Sequence, residues 1–173
     1  MFKLNRRLAL LGGAATLAAC SAGAPLGAKP AGPSRFVTVS GTGFRRDGKP
    51  YHYAGANIWY AAWLGADTDY GNRGRLGREL DRLKGLGVRN LRILGSGEVS
   101  PLKNSITPAF RDQSATYNED LLKGLDVTLA EMAKRDMTAV IYLTNFWEWS
   151  GGMMTYLYWV NGGRYINMND PAH

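Results

Sequence analysis

"RGRLGRELDRLKGLGVRNLRIL", Arg73–Leu94, changes its periodicity part-way along. Leu76, Leu80, Leu83 and Leu86 recur at helical spacing with charges on the opposite face, which predicts an amphipathic helix. Gly87 supplies a stop, and "VRNLRIL", Val88–Leu94, then reads as a compact strand. The same alternation continues downstream. Asn118 is an N-cap with Glu119 and Asp120 in the first turn. Leu121, Leu122, Leu125, Leu129 and Met132 share one face of a second helix, out to about Arg135. "MTAVIYL", Met137–Leu143, is almost wholly apolar, as expected of a parallel strand buried on both faces.

Upstream, "YHYAGANIW", Tyr51–Trp59, reads as a strand ending at Asn57. Before it, "FVTVSGTGF" and "RRDGKPYHY", with Asp47-Gly48 as the turn, predict a short β-hairpin. "DTDYGNRG" and the polar stretch Gly95–Tyr117 read as loops, "MMTYLYWV" as a short helix, and the remainder as loop. The order hairpin, then β-α-β-α-β, predicts a parallel sheet with crossover helices. "GANIWYAAWLG" after the first strand is neither a P-loop nor a dinucleotide fingerprint, which argues against a nucleotide-binding sheet. The chemistry-bearing residues collect at strand C-termini: Asn57 and Trp59, Arg92, and Asn145 to Trp149.

Composition bounds the class. The chain has 173 residues, 45% hydrophobic and 11% aromatic, enough apolar material for a real core. Its first twenty residues combine a basic start (Lys3, Arg6, Arg7) with a short apolar run, Leu8–Ala19, the pattern of an export signal. "LAAC", Leu17–Cys20, resembles the lipobox of bacterial lipoproteins, in which the cysteine is lipidated; an ordinary signal with an incidental cysteine is the alternative. "NRR" gives a partial match to a twin-arginine signal, so both export routes stay open. Residues 21–34, rich in Ala, Gly and Pro, read as a flexible tether, and residues 35–173 as the folded domain. Loss of residues 1–19 takes the formal charge from +7 to +4, a mildly basic surface without the aromatic-interleaved basic cluster of a nucleic-acid binder. Cys20 is the only cysteine, and His52 and His173 are the only histidines. Disulfides, metal sites and cofactors are therefore not expected.

"FVTVSGTGFRRDGKPYHYAGANIWY", "GVRNLRIL" and "YLTNFWEWSGG", in this order and spacing, resemble glycoside hydrolase family 5, and within it the endo-β-1,4-mannanase branch. The resemblance runs from about Phe36 to the end. It implies the N-terminal part of a (β/α)8 barrel preceded by a short hairpin, with the active face at the strand C-termini. It further implies a retaining glycosidase acting on β-mannan without nucleic acid or cofactor; with the export signal and the lipobox, the chain is expected to be a monomer anchored by lipid at the periplasmic or cell-surface side of a bacterial membrane. Cellulase activity in the same family, or carbohydrate binding without catalysis, are the alternatives. A full barrel takes roughly 250 residues, and only three barrel strands are visible here. The family's two catalytic glutamates lie on later strands, one in an Asn-Glu pair. The only Asn-Glu here, Asn118-Glu119, opens a helix. The chain is thus expected to be an N-terminal fragment lacking both glutamates.

By the same resemblance Arg92 would support the nucleophile carboxylate. Trp59, Trp147 and Trp149 would offer sugar platforms or pack the rim, and Asn57 and Asn145 would bind sugar hydroxyls or cap loops. Glu98 and Glu148 are expected in loop or rim roles, and Tyr156, Tyr158 and Trp159 in packing.

Overall fold

The computed structural model describes residues 36–102 and 104–167. The export signal, Cys20 and the 21–34 tether lie outside the described residues. Strands β1 (Thr38–Ser40), β2 (Gly43–Arg46) and β3 (Lys49–Pro50) form an antiparallel sheet in that order. Arg46 pairs with Lys49, so Asp47 and Gly48 make the turn, both at positive φ (51° and 74°) as a two-residue hairpin requires. The expected hairpin thus gains a third strand, because the chain after the turn continues pairing until the Tyr51 N–H meets the Phe44 carbonyl at 2.8 Å.

A second sheet is parallel, in the order β4 (Ala54–Asn57), β5 (Val88–Leu94), β6 (Thr138–Tyr142). Between its strands run the helices α1 (Ala61–Gly65), α2 (Arg73–Gly85) and α3 (Glu119–Lys134); α4 (Gly152–Val160) follows a 3-10 turn, Glu148–Ser150. This is the first part of a (β/α)8 barrel, an open sheet with helices on its convex side. The helix starts follow local chemistry: the Asn72 side chain accepts from the Arg75 N–H, and Asn118 accepts from those of Asp120 and Leu121. The short helix α1 was not foreseen; it follows the C-terminal end of β4 and buries Ala61, Ala62, Trp63 and Leu64.

Leu91 and Ile93 of β5 point to the helices and meet Leu76 and Leu80 of α2, Met132 of α3, Met137 and Ile58. The buried line of α3 is Leu121, Gly124, Thr128 and Met132; of the face expected, Leu121 and Met132 are buried while Leu122, Leu125 and Leu129 are only half-buried. The reason is a close helix crossing. A Cβ on Gly124 would lie 2.1 Å from the Ala62 carbonyl oxygen, and one on Gly65 2.1 Å from that of Gly124. Thr128 Oγ1 donates across this contact to the Ala61 carbonyl at 2.8 Å. Leu86, read as part of the α2 face, lies past the last turn and is exposed.

One expectation about burial is corrected. β6 is an edge strand with a single described neighbour, and Val140 and Leu143 are 47% and 72% exposed rather than buried on both faces. The stretch 95–117 is a loop, as expected, and it is packed: Phe110 and Glu98 are buried, and Arg111 forms isolated bridges to Glu98 and Tyr117. The antiparallel sheet is tied beneath the parallel one. The Tyr51 hydroxyl meets Thr138 Oγ1 at 2.8 Å, Asn90 Nδ2 donates to the same oxygen at 2.7 Å, and Arg46 pairs with Asp136.

Candidate active face

Side chains alternate across a sheet, so the strand register sorts β4–β6 into two faces. Asn57, Arg92 and Val140 are register partners. They lie on the face opposite the helices, where Leu91 and Ile93 do not point. Arg92 is exposed there, although Leu91 and Ile93 on either side of it are buried, because burial in a strand alternates from residue to residue. Its guanidinium lies over the ring of Tyr142, 3.5 Å from the ring centroid. Arg92 forms no ion pair among the described residues. The Tyr142 hydroxyl is buried and makes no hydrogen bond of good geometry among the described residues. Burial pushes its pKa up, and the positive charge and side-chain contact of Arg92 work in the opposite direction. Tyr142 was missed at the sequence level. The signal was available: it stands two residues beyond the register partner of Arg92, hence on the same face.

The tryptophans separate. Trp59 and Trp149 are half-buried with ring centroids 5.0 Å apart, and Trp59 also meets Trp63 edge-on at 5.9 Å. This group rests on Leu94, Phe110 and Leu121. Trp147 stands apart, 55% exposed, edge-on to Phe146. The structure therefore joins Trp59 to Trp149 in one aromatic wall and leaves Trp147 on the rim. Asn145 is occupied by its own loop: its Nδ2 donates to Ser150 Oγ at 2.8 Å and its Oδ1 accepts from the Phe146 N–H at 3.0 Å. Asn57 is exposed on the sheet face, and among the described residues no side-chain bond holds it.

Glu98 anchors the tryptophan-rich loop. It is 1% exposed and accepts hydrogen bonds from Ser96 Oγ, the Tyr156 hydroxyl (2.7 Å) and the Gly152 N–H (2.8 Å). The loop can approach this closely only because Gly151 and Gly152 take positive φ, 88° and 62°. A Cβ on Gly151 would fall 2.7 Å from the Glu98 Cβ. Burial and the Glu98 hydrogen bond raise the Tyr156 pKa. Glu148 lies on the rim and accepts from the Tyr165 hydroxyl at 2.9 Å, which raises the pKa of that tyrosine. Tyr156 and Trp159 pack edge-on.

An open parallel sheet with helices on one face, and with an arginine and an aromatic wall at its strand C-termini, is the architecture of a barrel glycosidase. The family model described as GH family 5 beta-mannosidase-like matches residues 34–171, and the chain belongs to that family. It is 32% identical over 135 residues to mannan endo-1,4-beta-mannosidase F of Aspergillus fumigatus, a match that covers 74% of this chain and 30% of that protein. The glycoside hydrolase family 5 mannosidase from Rhizomucor miehei superposes with a TM-score of 0.71 at 38% identity, covering 76% of this chain and 32% of that one. A mutant of that mannosidase in complex with mannosyl-fructose superposes with a TM-score of 0.70 at 39% identity, with 76% and 32% covered. The chain spans roughly a third of the length of the relatives it matches, from 29% to 38% for the first curated ones.

Proposed function

We propose that this chain forms the first strands of the catalytic barrel of a retaining hydrolase acting on β-1,4-mannan, in which Arg92 supports the nucleophile carboxylate. The observation that carries this reading is the exposed Arg92 guanidinium on the open sheet face, held by Tyr142 and free of any ion pair among the described residues. A guanidinium in that position donates to a carboxylate and keeps it ionised. The Trp59–Trp149 wall fits the apolar face of a pyranose. A retaining mechanism needs two carboxyl groups about 5–5.5 Å apart. The chain's own glutamates are committed elsewhere: Glu79 to Tyr60 and Arg75, Glu98 to the loop, Glu131 to Lys134 and Arg135, Glu148 to Tyr165, and Glu119 to a helix start. The acid/base and the nucleophile are accordingly assigned to later strands of a complete barrel. The test is the anomeric form of the first product released from mannohexaose by a barrel-complete protein carrying this segment, followed by NMR. Retention is expected; inversion, or cleavage of cellohexaose in place of mannohexaose, would falsify the proposal.

The likeness of "LAAC" to a lipobox supports a second proposal, that the protein is exported and lipidated at Cys20, which would hold it on a bacterial membrane. Clickable fatty acid fed to expressing cells should label the wild type and not Cys20→Ser. Equal labelling of both removes the anchor.

A further inference from the structure

We propose that the cavity beneath the packed 95–118 loop is a second glycan site, taking hexopyranose units of a neutral polysaccharide beside the aromatic wall. The proposal rests on the glycan reading above and extends it to a surface that reading does not use. The cavity holds about 410 Å³, within the range of small-molecule sites. Its lining includes Arg111, Asp112, Thr116, Tyr117, Ser100 and Ile106.

Arg111 is the unexplained residue. Its backbone is fixed: the N–H donates to the Gly97 carbonyl at 3.0 Å and the carbonyl accepts from Val99 at 2.8 Å. Its guanidinium lies between the rings of Tyr117 (5.8 Å) and Tyr156 (5.7 Å). It forms no ion pair among the described residues, and its buried Nε has no acceptor. An arginine carries five donors and no acceptor; Nε is shut off from any ligand and part of the guanidinium is turned to the Tyr156 hydroxyl, so it is the remaining terminal N–H groups of this cavity-lining residue that would meet one. Asp112 supplies the complement. Its Oδ1 accepts from the Thr116 N–H at 2.9 Å, and among the described residues nothing donates to Oδ2. One guanidinium and one carboxylate cancel, which favours a neutral ligand with adjacent hydroxyls over an anion. Tyr117, 52% exposed, offers the aromatic face on which a pyranose stacks. Ile106 joins this site to the wall: it lines the cavity, and its N–H donates to the Trp149 carbonyl at 2.7 Å. A polysaccharide chain longer than the cleft therefore has a second place to rest.

The test uses the full chain immobilised by its N-terminus, with mannobiose, mannohexaose and glucuronate passed over it. Tyr117→Ala and Arg111→Lys should each weaken mannohexaose binding about tenfold, while Trp149→Ala should leave a component that Tyr117→Ala abolishes. Loss on Trp149→Ala alone keeps the cleft and overturns the second site. No loss from any of the three overturns both. Glucuronate binding tighter than mannobiose overturns the neutral class. Should a variant misfold, the wild type still decides: the Arg111 side-chain Nε–H resonance should shift on addition of mannohexaose, and an unmoved resonance overturns the site.

Discussion

Arg92 and Tyr142 are a pair whose two members have different consequences. If Arg92 supports the nucleophile carboxylate as proposed, Arg92→Ala in a barrel-complete protein would remove a charge-assisted hydrogen bond worth roughly 1.5–3 kcal/mol. That corresponds to a fall in kcat of about 10- to 100-fold with little change in KM. Arg92→Lys should recover only part of it, because an ammonium cannot reproduce the planar fork. Steady-state kinetics on mannohexaose measure both, and a near wild-type kcat for Arg92→Ala would take Arg92 out of the site. Glu98 acts through structure instead. Glu98→Ala leaves the Gly152 N–H and the Tyr156 hydroxyl without their acceptor, at a cost of about 1–3 kcal/mol read in urea unfolding. At this scale the sequence showed which residues cluster at strand ends. It did not show which of them were already spent. Asn145 looks like a ligand residue until its amide is found bonded to Ser150, and Tyr142 looks like core until its ring is found under a guanidinium. Both outcomes depend on partners that are set by tertiary contact.

Elements were more legible than their faces. β5 lies where the apolar run put it, and Asn118 caps α3 as its side-chain chemistry demands. What pattern reading missed on α3 is that contact with α1 is made through Gly124 and Thr128, since a search for large apolar residues passes over small ones. Gly124→Ala must push a methyl into the Ala62 carbonyl, and overpacking of this kind costs about 1–3 kcal/mol. Thr128→Val keeps the shape and loses the bond to Ala61, at about 0.5–1.5 kcal/mol. Denaturant midpoints order the two variants, and a neutral Gly124→Ala would contradict the close crossing. Arg135 clamps α2 to α3 through Asp81 and Glu131. Hydrogen bonds from Arg135 to Asp81, and from Lys134 and Arg135 to Glu131, hold both carboxyls below their usual values. Because these folded-state pKa values are depressed, the clamp contributes above the ordinary carboxylate range and is lost as pH falls through and below it. Both carboxyls are solvent-facing, so salt should weaken the effect. An acid titration of melting temperature for Arg135→Gln against the wild type should converge at low pH; a constant gap would refute the clamp.

The molecule as a whole carries an unfinished surface. β6 has a neighbour on one side only among the described residues, with Val140, Ile141 and Leu143 exposed. An apolar strand edge of this kind pairs with other chains. The 173-residue chain by itself should therefore bind a hydrophobic dye and self-associate, and it should not hydrolyse mannan. A cooperative melt together with mannan hydrolysis would refute that expectation. The parallel sheet with crossover helices was readable from the alternation of periods, and the family resemblance implied the barrel. The exposure of its third strand was not, because an apolar run states what a strand is suited to pack against and is silent on whether the packing partner is present.

The contact between Thr128 and Ala61 also sets an order of events. It spans 67 positions of chain, and the same core takes Met132 and Met137 from beyond it. Closing so long a loop costs entropy before any contact offsets it. During synthesis, β4, α1, α2 and β5 therefore leave the ribosome without the helix that completes their core, and they stay open to proteases until α3 follows. Stalled nascent chains ending at Tyr117 should be digested, and those carrying α3 and β6 clear of the ribosome should resist. The cell must shelter the first half of this fold for the time it takes to translate a helix.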